Sequence, residues 1–417
     1  MAKTTIAADP MAPSRPAGRF GTVARSVVAT VLGGLLCWQI GSAGLAALAA
    51  RSTDPRLLAV SGTPAHPEAG SLLAQALLVS NDNDAAAGLA RSVVLVDPTN
   101  DRALRVLGLA TEKLGEKEEA AAILRQGAAL GWRDTPTQLW VLHDAAERDD
   151  PVTVIQRADA LARRNRAGEL TRAVFLAALN EPRLRAELIN SLARQPMWRG
   201  AFFADIRQNL PASAAPGVEV LFAEMHARGQ ATTPVEKLSY VERLIDLGEF
   251  RHARDIWATA FKIPVGRLRG MPYDGRFQLA AGRANDAPTS RFEWTFDPNL
   301  VGALTFTGGA QGSMLTVPSD ISGGTTIMSQ IVMLAPGPHI LTSKVDGSAA
   351  AAGAGWSISC LPGGADLPRR LGHGPDDELS MVSFTVLNEG CQAQEISLVA
   401  RDRPDGQAVS IGDVRIR

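Results

Sequence analysis

The hydrophobic pattern changes period twice along this chain of 417 residues, after opening on a single long apolar run. Residues Ser26 to Ala50 are uncharged and largely apolar, and Lys3, Arg15, Arg19 and Arg25 precede them. At about 1.5 Å per residue such a run crosses a bilayer with some tilt, so a transmembrane helix is expected over 26–50 behind a basic tail over 1–25. The basic residues, opposed only by Asp9, favour a cytoplasmic N-terminus. Ala47-Leu48-Ala49 also offers a small-x-small site before Ala50, the pattern of a cleaved signal peptide. The run is nevertheless longer than the usual h-region of about 7 to 15 residues, which favours an uncleaved anchor. Residues 51–66, with Pro55 and Pro64, read as a linker.

From Pro67 the pattern turns helical and repeats. With residues 67–100 set above 101–134, Leu73 falls on Leu107, Ala74 on Gly108, Ala86 on Ala120 and Ala90 on Leu124, an offset of 34. Asn81 falls on Gly115, and both tolerate the left-handed conformation of a turn between helices. Small residues belong where antiparallel helices cross closely. The spacing resembles the tetratricopeptide repeat, most clearly from Leu107 to Ala120. A third unit, about 135–168, keeps only Ala158 and Ala162 as small residues one turn apart. Helical spacing continues to 262 without a clear repeat, so an α-solenoid is expected over 67–262. Thr233, Pro234 and Glu236 predict a capped helix start, and Gly248 predicts a turn between two helices.

Near Ile263 the period becomes two. Nine short candidate strands lie between Arg291 and Ile416, among them Arg291–Phe296, Gly355–Cys360 and Leu379–Leu387. Short strands with turn signals between them predict an all-β jelly-roll sandwich over 263–417. Phe292–Trp294, Ser329–Leu341, Trp356–Cys360 and Cys391–Leu398, in this order, resemble the galactose-binding-like, carbohydrate-binding-module-type sandwiches of bacterial envelope proteins. The chain as a whole is similar to alphaproteobacterial exopolysaccharide-associated proteins that join an anchor, tetratricopeptide-like helices and such a sandwich. The resemblance implies a role beside the envelope, a protein partner for the helices and glycan as a ligand class for the sandwich. It matches no ligand-contact motif, so it carries no ligand residues.

Composition narrows this picture. Four Lys/Arg and one Asp in the first 50 residues leave about −4 on the remainder of a chain of formal net charge −1, which argues against nucleic acid as a partner. Abundant Ala and Gly, with Arg in place of Lys, resemble a high-GC bacterial proteome, placing the bulk of the chain in the periplasm and the helix in the inner membrane. There Cys360 and Cys391 are expected to pair, the alternative being two reduced core cysteines.

No catalytic constellation is legible. The six histidines form no H-E-x-x-H or H-x-H arrangement, and neither a phosphate-cradling loop nor a nucleophile elbow occurs. The acidic run Asp376, Asp377, Glu378 reads as solvated loop, and the cluster Arg163, Arg164, Arg166 as cations near a helix C-terminus. Asp297 and Asp413 are the candidate carboxylates for a structural Ca2+ in a sandwich loop; no other cofactor is expected. Trp294 and Trp356 are the indoles available as a sugar platform, although their alternation with Phe292 and Ile358 also reads as core. The expectation is a non-enzymatic periplasmic scaffold in exopolysaccharide or envelope assembly. Its alternatives are a protein adaptor that binds no sugar and a carbohydrate-active enzyme.

Overall fold

The computed structural model describes residues 19–52, 54–61, 63, 65–268, 271–283, 287–309, 312–346, 353–363, 366–367, 369–370, 377–401 and 407–417. Lys3, Arg15, His373 and Asp376 lie outside these residues, as do the side chains of Arg19, Arg25, Asp377 and Glu378. The chain divides into two compact units, Met1–Thr153 and Val154–Arg417.

The first unit begins with α1 (Arg19–Ser52), an unbroken helix about 51 Å long at 1.5 Å per residue. Its Thr30–Ser52 part, of mean hydropathy 1.6, is long and apolar enough to cross a membrane. Leu32, Leu36, Trp38 and Ile40 stand exposed on it. The last turns behave differently. Ala46 and Ala49 are buried against Leu58 of α2 (Pro55–Ser61) and Ala69 of α3 (Pro67–Val79). The stretch expected to be a linker over 51–66 therefore contains a helix, with Pro55 in its first position, where a missing N–H costs nothing.

Helix pairs follow: α4 (Asn83–Val96), α5 (Asp101–Lys113), α6 (Lys117–Leu130), α7 (Thr135–Glu147) and α8 (Pro151–Arg163). The first helices of the pairs start at Pro67, Asp101 and Thr135, the second at Asn83, Lys117 and Pro151, a backbone period of 34. Asn81, Gly115 and Asp149, also 34 apart, all adopt positive φ (63°, 99° and 55°). Each turn closes in the same way: Asp82 N donates to Leu77 O, Glu116 N to Thr111 O and Asp150 N to Ala145 O. These bonds satisfy carbonyls that a helix end leaves unpaired. The third unit is as regular in backbone as the other two, although its sequence is the least repeat-like. Local turn geometry carries the period where the packing residues do not.

The second unit continues with α9 (Gly168–Ala177), α10 (Pro182–Leu192), α11 (Arg199–Asn209), α12 (Ala215–Ala227), α13 (Pro234–Asp246), α14 (Phe250–Ala260) and the short α15 (Val265–Leu268). Thr233 and Glu236 form the expected capping box, and Gly248 takes φ 82° in the turn to α14. Two buried arginines pin this stack. Arg185 donates to Leu179 O (2.8 Å) and Glu224 (3.0 Å), and Arg199 donates to Leu192 O (2.9 Å) and Glu236 (2.6 and 2.9 Å). Each guanidinium thus closes one helix end and ties it to a later helix, with both charges partnered.

Two antiparallel sheets complete the unit. One has the order β1 (Thr295–Phe296), β4 (Thr326–Val332), β9 (Ala393–Ala400), β6 (Ala354–Leu361). The other runs β2 (Thr305–Gly309), β3 (Gly312–Val317), β10 (Val409–Ile416), β5 (Gly337–Asp346), β8 (Met381–Val386), β7 (Arg369–Arg370). Both contribute to one buried core, with Trp356, Ile358, Ile396 and Leu398 from the first and Leu315, Leu341, Phe384 and Ile411 from the second. Three strand expectations change. The two-residue β7 had no sequence signal, and Asp377–Ser380 forms a helical turn, α16, ahead of β8. Only Thr295 and Phe296 of the segment Arg291–Phe296 pair as a strand, because Arg291 is held by α13.

Candidate functional site

The disulfide joins Cys360 of β6 to Cys391 at the approach to the neighbouring β9, and it fits an oxidising compartment. The two indoles considered for sugar stacking are core residues. Trp294 is 1 % exposed and Trp356 0 %. Their N–H groups donate inward, Trp294 to Asp274 O (3.1 Å) and Trp356 to Leu379 O (3.0 Å), and the rings pack 6.1 Å apart. Neither presents a face on which a pyranose could lie.

The two candidate calcium ligands are also occupied. Asp297 accepts from Asn299 N (2.8 Å) and Asn299 Nδ2 (3.0 Å), a turn closed by its own side chain. Asp413 sits at φ 47° in an irregularity of β10, where Arg415 (2.6 Å) and Arg276 (3.4 Å) neutralise it. Two guanidiniums on one carboxylate compete directly with a cation. Among the described residues no three His, Cys, Asp or Glu side chains group as metal ligands.

The repeat-packing residues lie at helix crossings of the first unit. Ala74, Ala86, Ala90 and Leu107 share one cluster with Val106 and Ala110. Ala120 and Leu124 are fully buried, and a Cβ on Gly108 would stand 2.4 Å from Leu124 Cγ. Leu73 packs against the cluster that receives the end of α1. Beside it an open apolar groove is lined by Leu58, Leu72, Leu73, Ala76 and Val79.

The contacts that sequence reasoning missed lie where the later helices meet the sandwich. Arg291 donates from its Nε to Glu242 Oε2 (2.8 Å), from its backbone N to Glu242 Oε1 (3.0 Å), and from its guanidinium to Asp246. Burial alone would lower the Arg291 pKa; Glu242 and Asp246 outweigh it and raise it. Next in the chain, Phe292 packs on Trp257 of α14 (5.5 Å), and Trp257 Nε1 donates to Glu293 (3.2 Å), which also pairs with Arg283 (3.3 Å). Burial pushes the Glu293 carboxyl up despite Arg283. Charge pairs at separations of 49 and 10 residues leave no periodic trace, so no pattern search could find them.

Besides the groove at Leu73, of about 610 Å³, and an opening of about 520 Å³ beside Pro272, Tyr273 and Arg276, two smaller cavities among the described residues can each take one side chain or one small ring. The first, about 220 Å³, is floored by Trp294, Phe296 and Phe306 beside β1 and β2, with the already paired Arg283 at its edge. The second, about 210 Å³, lies among α8, α9 and α11 over Phe175, Trp198 and Phe202. Neither brings together a nucleophile and a base. No protein-family model matches this chain, and no curated protein matches its sequence.

Proposed function

We propose that the chain is a membrane-anchored periplasmic scaffold or accessory protein in exopolysaccharide or cell-envelope assembly, with a cytoplasmic N-terminus. In this reading the helices hold a protein partner and the sandwich faces glycan or another subunit. The observation that carries it is the seating of α1: Ala46 and Ala49 are buried against Leu58 and Ala69, so the apolar helix and the first helix pair share one core. A segment destined for removal gains nothing from such packing, whereas an anchor that holds a scaffold beside a bilayer does. The 34-residue recurrence of helix starts and positive-φ turns supports a tetratricopeptide-like reading. The winding supports a jelly roll: consecutive strands β3, β4, β5 and β6, then β8, β9 and β10, alternate between the sheets.

The burial of Trp294 and Trp356 favours a second reading, an adaptor whose sandwich contacts protein only. Affinity electrophoresis of the full chain in gels containing the host's own polysaccharide separates the two. Retardation supports glycan contact, and unchanged mobility leaves the adaptor. The scaffold reading itself is tested by complementation of a deletion strain. The full chain restores polymer output, whereas a chain released by a cleavable signal peptide in place of 1–50 does not. Equal restoration by both would overturn it.

A further inference from the structure

We infer that the cavity over Phe175, Trp198 and Phe202 anchors one large apolar side chain of an acidic peptide segment. This deepens the partner-holding reading and rests on it. The floor is preorganised. Trp198 Nε1 donates to the buried Asp159 (2.7 Å), and its ring stacks on Phe175 at 4.4 Å and 18°. Phe202 meets both rings edge-on, 6.1 Å from Phe175 and 6.3 Å from Trp198. The two stacked faces are used on each other, so what remains is a cavity of about 210 Å³ rather than a flat platform. That shape takes an inserted leucine-sized or aromatic side chain and not the broad face of a sugar ring.

The rim supplies the charge. Four arginines and one glutamate lie between Leu161 and Arg172, in a chain whose soluble part is otherwise acidic. Arg163 is committed to Asp159 (2.9 Å). Arg166 and Arg172 both line the cavity, and neither guanidinium has a hydrogen bond or ion pair among the described residues. Asp205, which accepts from Asn209 (3.3 Å), is the one acid on the lining. Two unpartnered cations around an apolar hole match a segment carrying carboxylates on either side of an apolar anchor.

The test uses the full chain in nanodiscs and a fluorescent nonapeptide with one leucine between runs of glutamate, read by anisotropy. Saturable binding is expected, weakening about tenfold or more when the peptide leucine becomes alanine. The double variant Arg166→Glu/Arg172→Glu should weaken it as much. So should Ala201→Trp, which fills the cavity from an exposed helix position without altering charge. Arg91→Glu, in the first unit, should leave binding unchanged. Equal binding of the leucine and alanine peptides, or no saturation by about 1 mM, would overturn the inference. Tighter binding of an oligogalacturonate, lost in the same variants, would overturn it in favour of acidic glycan. The complementation experiment is independent of all these outcomes, so failure of this site and failure of the scaffold reading are distinguishable.

Discussion

The first helix pairs and the sandwich solve the same packing problem with opposite materials. Around α3 to α6 the crossings are filled by Ala74, Ala86, Ala90, Ala120 and Gly108, and the backbones approach so closely that Leu124 occupies the place of a Gly108 side chain. In the sandwich the interior is filled by Trp294, Trp356, Phe277 and Phe384, and a disulfide closes one sheet at β6 and β9. Close packing at small residues penalises addition, whereas packing on large residues penalises removal. The two regions should therefore fail under opposite substitutions.

Trp356→Ala should have the largest effect, about 3–5 kcal/mol, because it empties the centre of the sandwich core. Chemical denaturation measures it, and hydrogen exchange should confine the loss of protection to the second unit. Converting both Cys360 and Cys391 to alanine releases a 31-residue closure and should cost about 3–4 kcal/mol in the chain-entropy model, again in the second unit. Gly108→Val should cost about 1–3 kcal/mol in the first unit, and adding Leu124→Ala should recover part of it. If Gly108→Val is silent, the close approach of α5 and α6 is not the feature that holds the pair.

The smallest effect concerns pH. The Glu293 pKa is raised, so the native state keeps this proton to higher pH than the unfolded chain. Its burial cost is absent below the ordinary carboxylate value of 4.5 and grows as pH rises through the raised pKa. Glu236 and Asp144 are lowered, Glu236 because Arg199 and Thr233 outweigh its burial and Asp144 because Arg125 and Arg148 do so. Their contribution is complete above the ordinary carboxylate range and is lost as pH falls through the lowered values. Glu293→Gln should therefore flatten the decline in stability above pH 4.5 while leaving acid unfolding in place.

Legibility followed periodicity. The apolar run, the 34-residue offset, the turn positions Asn81 and Gly115, the capping box at Thr233 and eight of the nine candidate strand regions could be read because each repeats or obeys a local rule. The helix α2 was hidden behind Pro55 and Pro64, which look like breakers until one occupies a first helical position. Segment 291–294 alternates like a strand, yet Arg291 and Glu293 are drawn to Glu242 and Trp257, partners fixed only by tertiary packing. The cavity over Trp198 was equally invisible. Its aromatic floor comes from α9 and α11 with the spacing of ordinary core, and only the arginines on its rim stood out, as a plain charge cluster.

The central claim is that α1 stays joined to the scaffold and holds it at the membrane. The most direct measurement is the intact mass and N-terminal peptide of the mature protein, recovered from membranes after an alkaline carbonate wash. The account predicts a membrane-retained chain that still contains residues 26–50. A mature protein that starts at Ala50 and is released into the soluble periplasmic fraction would contradict it.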